Sequence, residues 1–122
     1  MSATILYIED NPDNSLLVQR ALNARGYQVL WAADGMSGIE QAEAHSPDLI
    51  LLDINLPDID GYEVARRLRA HDSLGAIPIM AITANALKGD AEKALAAGCD
   101  AYIAKPIQLH ELWDRVAALV RA

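Results

Sequence analysis

Glu9 and Asp10 follow directly on the apolar run of residues 4–8, Asp53 ends the run that begins at Leu49, Thr83 follows Ile82, and Lys105 follows Ala104. Together these side chains could carry one reaction: a carboxylate can attack an electrophilic centre, a lysine can neutralise an oxyanion, and a hydroxyl can donate to one. Three carboxylates brought together repel, and folded proteins tolerate that where a proton or a cation resolves it. With no cysteine or histidine beside them, all-oxygen ligands favour Mg²⁺, with Mn²⁺ as a second hard cation the set would accept. Counting charge, Glu9, Asp10 and Asp53 give −3, Lys105 makes this −2, and a divalent cation brings it to zero. Turning one carboxylate into an acyl phosphate then leaves about −1, since a phosphoryl group carries roughly −1.5 to −2. Any one of these acids alone would read as a solvated loop residue; the set carries the chemistry.

To meet, these residues need their apolar runs side by side. Residues 4–8, 27–31, 49–52, 79–82 and 101–104 all have strand length, and the third is apolar throughout, as a strand covered on both faces should be. Helical spacing lies between them. Leu17, Val18, Ala21 and Leu22 form one stripe and Leu87, Ala91, Ala94 and Leu95 another. Leu109, Leu112, Trp113, Val116, Ala117 and Val120 form the clearest, at i, i+3, i+4, i+7, i+8 and i+11. Pro12 after Asn11 marks a capped helix start, and Gly26 and Gly98 stand where left-handed stops belong. Strand and helix alternate through the chain, which predicts a doubly wound α/β domain with a parallel five-stranded sheet and helices on both faces. Ligands of such sheets bind beyond the carboxyl ends of the strands. The acids, Thr83 and Lys105 all fall there, whereas the second strand ends blandly in Ala32-Ala33.

At 122 residues, with 52% hydrophobic and 22% charged, the chain has the size and balance of one domain with its own core. A net charge of −7 opposes attraction to nucleic acid or an anionic membrane. Cys99 is the single cysteine, so no intrachain bridge is available. Met1-Ser2-Ala3-Thr4 lacks a basic start leading into a long apolar run, and no stretch approaches the ~18 apolar residues that span a bilayer. A cytoplasmic location is expected.

Four stretches occur in order: ILYIEDNPDN around the acid pair, DLILLDINLPDIDGYE around Asp53, PIMAITANALKGD around Thr83, and GCDAYIAKPI around Lys105. With them essentially the whole chain resembles the receiver domains of two-component response regulators, the CheY-like superfamily. The segment ITANALKGDAEKALAAGCDAYIAKPI is similar to DivK-type single-domain regulators and to the receivers of hybrid kinases. The resemblance implies the flavodoxin-like strand order 2-1-3-4-5 and one receiver domain over residues 1–122 with no output domain. It implies signalling by phosphorelay rather than enzymatic turnover, beyond the chain's own phosphotransfer and slow autodephosphorylation.

By the same resemblance Asp53 is the phosphoacceptor. Asp10, Asp53 and the backbone carbonyl of Asn55 are direct Mg²⁺ ligands, and Glu9 acts through a metal-bound water. Thr83, Ala84 and Lys105 bind the phosphoryl group, Thr83 and Tyr102 form a switch, and the bond before Pro106 is cis. The implied donor is a phosphohistidine on a histidine kinase or histidine phosphotransfer protein. It would dock against Asn14, Ser15 and the start of the first helix with Pro106 and Ile107. A downstream protein effector would read the fourth helix, fifth strand and fifth helix. Bland alternatives stand beside the switch: Thr83 could cap the fourth helix, and Tyr102 could be a half-buried strand aromatic.

Other functions fit less well. A nucleotide or flavin site should place a Gly-rich or Ser/Thr-rich phosphate loop after the first strand, and Asn11-Pro12-Asp13-Asn14 is none. A haloacid-dehalogenase-type phosphatase needs an acid two positions after its aspartate, where Asn55 stands. Asp58-Ile59-Asp60-Gly61 resembles part of a calcium loop, but the register puts Leu56 and Arg67 at ligand positions. His45, His71 and His110 show no paired ligand spacing and are expected at helix surfaces, Cys99 as a small core residue. Arg66, Arg67 and Arg69 are expected on a solvated face. A phosphorylation-independent adaptor and a phosphoryl sink remain as alternative functions.

Overall fold

A computed structural model describes residues 3–84 and 89–121. The elements run β1 (Thr4–Ile8), α1 (Pro12–Asn23), β2 (Gln28–Ala32), α2 (Gly35–His45), β3 (Leu49–Asp53), α3 (Gly61–Ala70), β4 (Ile79–Thr83), α4 (Asp90–Ala96), β5 (Ala101–Ala104) and α5 (Leu109–Arg121). All strand pairs are parallel, in the order β2-β1-β3-β4-β5. This is the doubly wound sheet expected from the alternation, with the strand order implied by the resemblance.

Strand alternation sorts the core into two layers. Leu6, Ile8, Ile50, Leu52, Ile79 and Ala81 pack with Ala42 of α2, Val64, Ala65 and Leu68 of α3, and Ala94 of α4. Ile5, Tyr7, Leu49, Leu51, Met80, Ile82 and Ile103 pack with Val18 and Leu22 of α1 and Leu112 and Val116 of α5. Every residue of β3 and β4 is buried, which explains why their sequences read as continuous apolar runs.

Strand ends differ from expectation where it matters. β3 and β4 each extend one residue further, so that Asp53 pairs with Ile82 and Thr83 with Ala104 in the sheet ladder. The two chemical side chains therefore sit on the last rungs of strands. Asn11 caps α1 by accepting from the N–H groups of Asp13 and Asn14 at 2.9 and 3.1 Å. Two stripe residues face solvent: Leu17 is 55% and Leu95 56% exposed, since a helix on a small sheet covers only part of its apolar arc. Leu87 lies outside the described residues.

The basic run on α3 divides. Arg66 and Arg67 pair with Glu63 at 3.1 and 3.0 Å on the exposed face. Arg69 does not share it. Its Nε donates to the Gly98 carbonyl at 2.7 Å, its Nη1 to the carbonyls of Gly75 and Ile77, and its Nη2 pairs with Asp100. Its stem lies against Gly98, where a Cβ would come within 2.5 Å of Arg69 Cγ and where φ is +105°. A long side chain can lay its carbons over the core and carry its charge to distant carbonyls. Among the described residues no helix is long and apolar enough to cross a membrane. His45 and His110 are exposed, whereas His71, half-buried at the end of α3, meets Glu43 at 3.0 Å. Cys99 is a buried core residue whose thiol burial pushes up to about 11.

Candidate functional site

The carboxyl ends of β1 and β3 bring Glu9, Asp10 and Asp53 together, with one carboxylate oxygen of each within 4.8 Å of the others. Glu9 and Asp53 are both 1% exposed, whereas Asp10 is open to solvent. Lys105, just beyond β5, reaches into the cluster: its Nζ lies 2.9 Å from Asp53 Oδ2 and 3.6 Å from Glu9 Oε1. The other oxygen of Asp53 accepts the Asn55 N–H at 2.9 Å. Thus both oxygens of the buried carboxylate are held.

Glu9 is held more elaborately. Its Oε1 accepts from the Tyr7 hydroxyl at 3.1 Å and from the Asn14 amide at 3.4 Å, its Oε2 from the Asn11 N–H at 3.4 Å, and its backbone carbonyl from the Trp31 indole at 2.7 Å. The roles of Tyr7 and Trp31 escape a motif reading. Tyr7 was legible in principle, because two residues along a strand return to the same face.

Burial, then the hydrogen bond and charge shared with Asp53, push the Glu9 carboxyl from 4.5 up to about 7, against the pull of Lys105 and Tyr7. Burial and the Glu9 charge move the Tyr7 phenol well above its ordinary range. Burial alone would lower Lys105, but Asp53 and Glu9 outweigh it and hold the ammonium above its usual value.

A pH dependence follows. Between 4.5 and about 7 the folded protein holds a proton on Glu9 that the unfolded chain has lost. This contribution is present in full below pH 4.5 and is lost as pH rises through about 7, on the order of 3 kcal/mol at about 1.4 kcal/mol per unit. In chelator, the urea midpoint of the parent chain should fall from pH 5 to pH 8 more steeply than that of Glu9→Gln. Parallel curves would assign the slope to other groups.

Residues 5–117 match the response regulator receiver domain family. The chain belongs to that family. It is 41% identical over 109 residues, 89% of each chain, to the polar-differentiation response regulator DivK of Brucella anthropi, and 40% identical over the same share to that of Brucella ovis. Among solved structures it superimposes on the receiver domain of the sensor histidine kinase PA1611 of Pseudomonas aeruginosa with a TM-score of 0.93 at 39% identity, covering all of both chains. That structure holds a magnesium ion coordinated in the active site cleft. A putative response regulator of Chloroflexus aurantiacus gives a TM-score of 0.96 at 30% identity, again over both whole chains. The chain is thus a two-component, DivK-like receiver, and receivers are signalling proteins rather than enzymes proper.

In this receiver Thr83 is buried at the end of β4 and Ala84 is exposed just after it. Tyr102 is half-buried in β5, pairs with Ala81 and packs against the layer that includes α4. The Lys105–Pro106 peptide bond is cis. Beside the acids a groove of about 430 Å³ is walled by Leu17, Val18, Pro106, Ile107 and Leu109, and its polar wall residues include Asn14 and Lys105. The expected docking surface needs one correction. Ser15 is fully buried and accepts from Gln19 at 2.8 Å, because its position faces the sheet; Asn14 and Leu17 are the exposed α1 residues of the groove.

Proposed function

We propose that this receiver works in the cytoplasm, taking a phosphoryl group onto Asp53 from the phosphohistidine of a histidine kinase or histidine phosphotransfer protein. The observation that carries this is a buried carboxylate, Asp53, with the Lys105 ammonium 2.9 Å away and two further acids at its side. The donor set is all oxygen, as a hard divalent cation requires. Asp10, Asp53 and the Asn55 carbonyl would hold Mg²⁺ directly, with Mn²⁺ as a substitute, and Glu9 through water. The magnesium in the Pseudomonas receiver supports that assignment. Bound there, the ion offsets the charge of the acids and of the incoming phosphoryl oxygens.

In the transfer an Asp53 oxygen attacks phosphorus, the phosphorus–nitrogen bond breaks, and the imidazole leaves. Lys105, which now pairs with Asp53, turns to a phosphoryl oxygen. Thr83 and the Ala84 amide donate to the others. A charge-assisted hydrogen bond is worth about 1.5–3 kcal/mol, whereas moving an equilibrium from 1:99 to 99:1 takes about 5.5. Thr83 therefore needs Lys105 and a repacked Tyr102, or a bound effector, to complete the switch. Slow hydrolysis of the acyl phosphate returns the receiver to its starting state.

Incubation with acetyl phosphate and Mg²⁺ should add one phosphoryl mass, and chelator should prevent it. In the same sample amide shifts should reach Tyr102 and α5. Absence of the adduct would favour the adaptor alternative, and an adduct with shifts confined to the loops around Asp10, Asp53 and Lys105 would favour a phosphoryl sink.

The groove is the natural seat of the protein donor. Because Asn14 also bonds to Glu9, the cleaner probe is Leu17. Leu17→Glu should slow transfer from a phosphotransfer protein by about tenfold or more, as loss of an interface anchor does, while acetyl phosphate labels it at the parent rate. Equal slowing with both donors would place docking elsewhere.

A further inference from the structure

The segment between β3 and α3 is tied down along its length, beginning with the Ile54 N–H, which donates to the Ile82 carbonyl at 3.0 Å. At its end the Gly61 N–H donates to the Ile54 carbonyl at 3.1 Å. Midway it crosses to another element: Asp58 Oδ1 accepts from the Gly35 N–H at 2.8 Å and Oδ2 from the Met36 N–H at 2.9 Å. These are the first two amides of α2, which no carbonyl within that helix can satisfy. Asp34 caps the same helix by accepting the Ser37 N–H at 2.8 Å. Next to Asp58, the Ile59 side chain fills the space above Gly35, where a Cβ would lie 2.7 Å from Ile59 Cγ1. Two acids therefore cap α2, and of these two only Asp58 rides on the segment that carries Asn55.

We propose that Asp58 is a positioning residue for the phosphoacceptor site, clamping the segment to α2 so that the Asn55 main chain stays in place beside Asp53. Half of this stands without any metal, since the Asn55 N–H already meets Asp53 Oδ1 at 2.9 Å. The other half, presentation of the Asn55 carbonyl to Mg²⁺, rests on the function proposed above. An acid that merely caps α2 would add helix stability; an acid that spans two elements also fixes the geometry of its own loop.

Asp58→Ala and Asp34→Ala separate the two roles, because both remove a cap from one helix. In chelator, Asn55 amide exchange should quicken by about tenfold in Asp58→Ala, the equivalent of one lost capping interaction, and stay at the parent rate in Asp34→Ala. By calorimetry, Mg²⁺ affinity should drop by about tenfold in Asp58→Ala, as for other outer partners of metal ligands, with no change in Asp34→Ala. Asp58→Asn, which keeps one of the two acceptor oxygens, should recover only part of both. Unchanged Asn55 exchange in Asp58→Ala, or equal changes in Asp34→Ala, would overturn the proposal. If the parent chain binds no Mg²⁺, the metal reading fails, and the exchange comparison still decides the role of Asp58.

Discussion

Asp53→Asn should gain no phosphoryl mass from acetyl phosphate and Mg²⁺ under conditions that load the parent chain with one group. The amide keeps the size of the side chain and an oxygen for the Asn55 N–H, so the loop stays where it is. What it lacks is the nucleophile. Of the two neighbouring acids, neither has the Lys105 ammonium as close as the 2.9 Å at Asp53. Glu9 is buried and occupied by Tyr7 and Asn14, and Asp10 lies exposed at the rim. The loss should therefore exceed about a hundredfold in rate, as removal of a reacting group does. The variant should also fold, because the substitution removes one of two buried like charges while Lys105 keeps Glu9 as a partner at 3.6 Å. Intact-mass spectrometry reads the result directly. An adduct that persists in Asp53→Asn would move the phosphoacceptor to another carboxylate, which peptide mapping would then name.

Gly61→Ala should be the most damaging single methyl in the chain's site region. A Cβ there would lie 2.6 Å from Ile54 Cα and 2.7 Å from the Asp53 carbonyl oxygen, both backbone atoms with no rotamer to change. Either the start of α3 or the end of β3 has to move, at a cost of roughly 1–3 kcal/mol or more. Moving β3 displaces Asp53 itself. Gly26→Ala supplies the contrast: φ is +88° but nothing lies within 4 Å, so only the left-handed conformation is penalised, by about 1 kcal/mol. Urea midpoints should fall further for Gly61→Ala than for Gly26→Ala, and only the former should lose Mg²⁺-dependent labelling. Comparable midpoints would mean the segment after Asp53 yields freely.

Much of this was legible in the residues. The continuous apolar character of 49–52 announced a strand covered on both faces, and the acid that ends it therefore had to lie at the strand's carboxyl end, where ligands of such sheets bind. The alternation of runs and stripes gave the α/β class, while the strand order came only with the family resemblance. Contacts between residues far apart in sequence left no local trace. Asp58 bonds to amides 22 and 23 positions away, Trp31 to a carbonyl 22 away, and Arg69 to a carbonyl 29 away. A helical stripe likewise does not say where the sheet stops. Leu17 carries the same periodic signal as Val18 and Leu22, and only the limited width of the sheet leaves it at the groove.

The clamp made by Arg69 has a mechanical consequence. It fixes the Gly98 carbonyl just past the end of α4, and Asp100 in turn accepts the Ile79 N–H at 2.8 Å. The end of α4 away from Thr83 is thereby pinned to the rim of the sheet. A rod pinned at one end moves as a lever. The seven residues of α4 span about 10 Å at 1.5 Å per residue, so a tilt of roughly ten degrees about Gly98 carries the opposite end about 2 Å. Any tilt of α4 about this point would therefore displace its first turn, at Asp90, most and its last turn least.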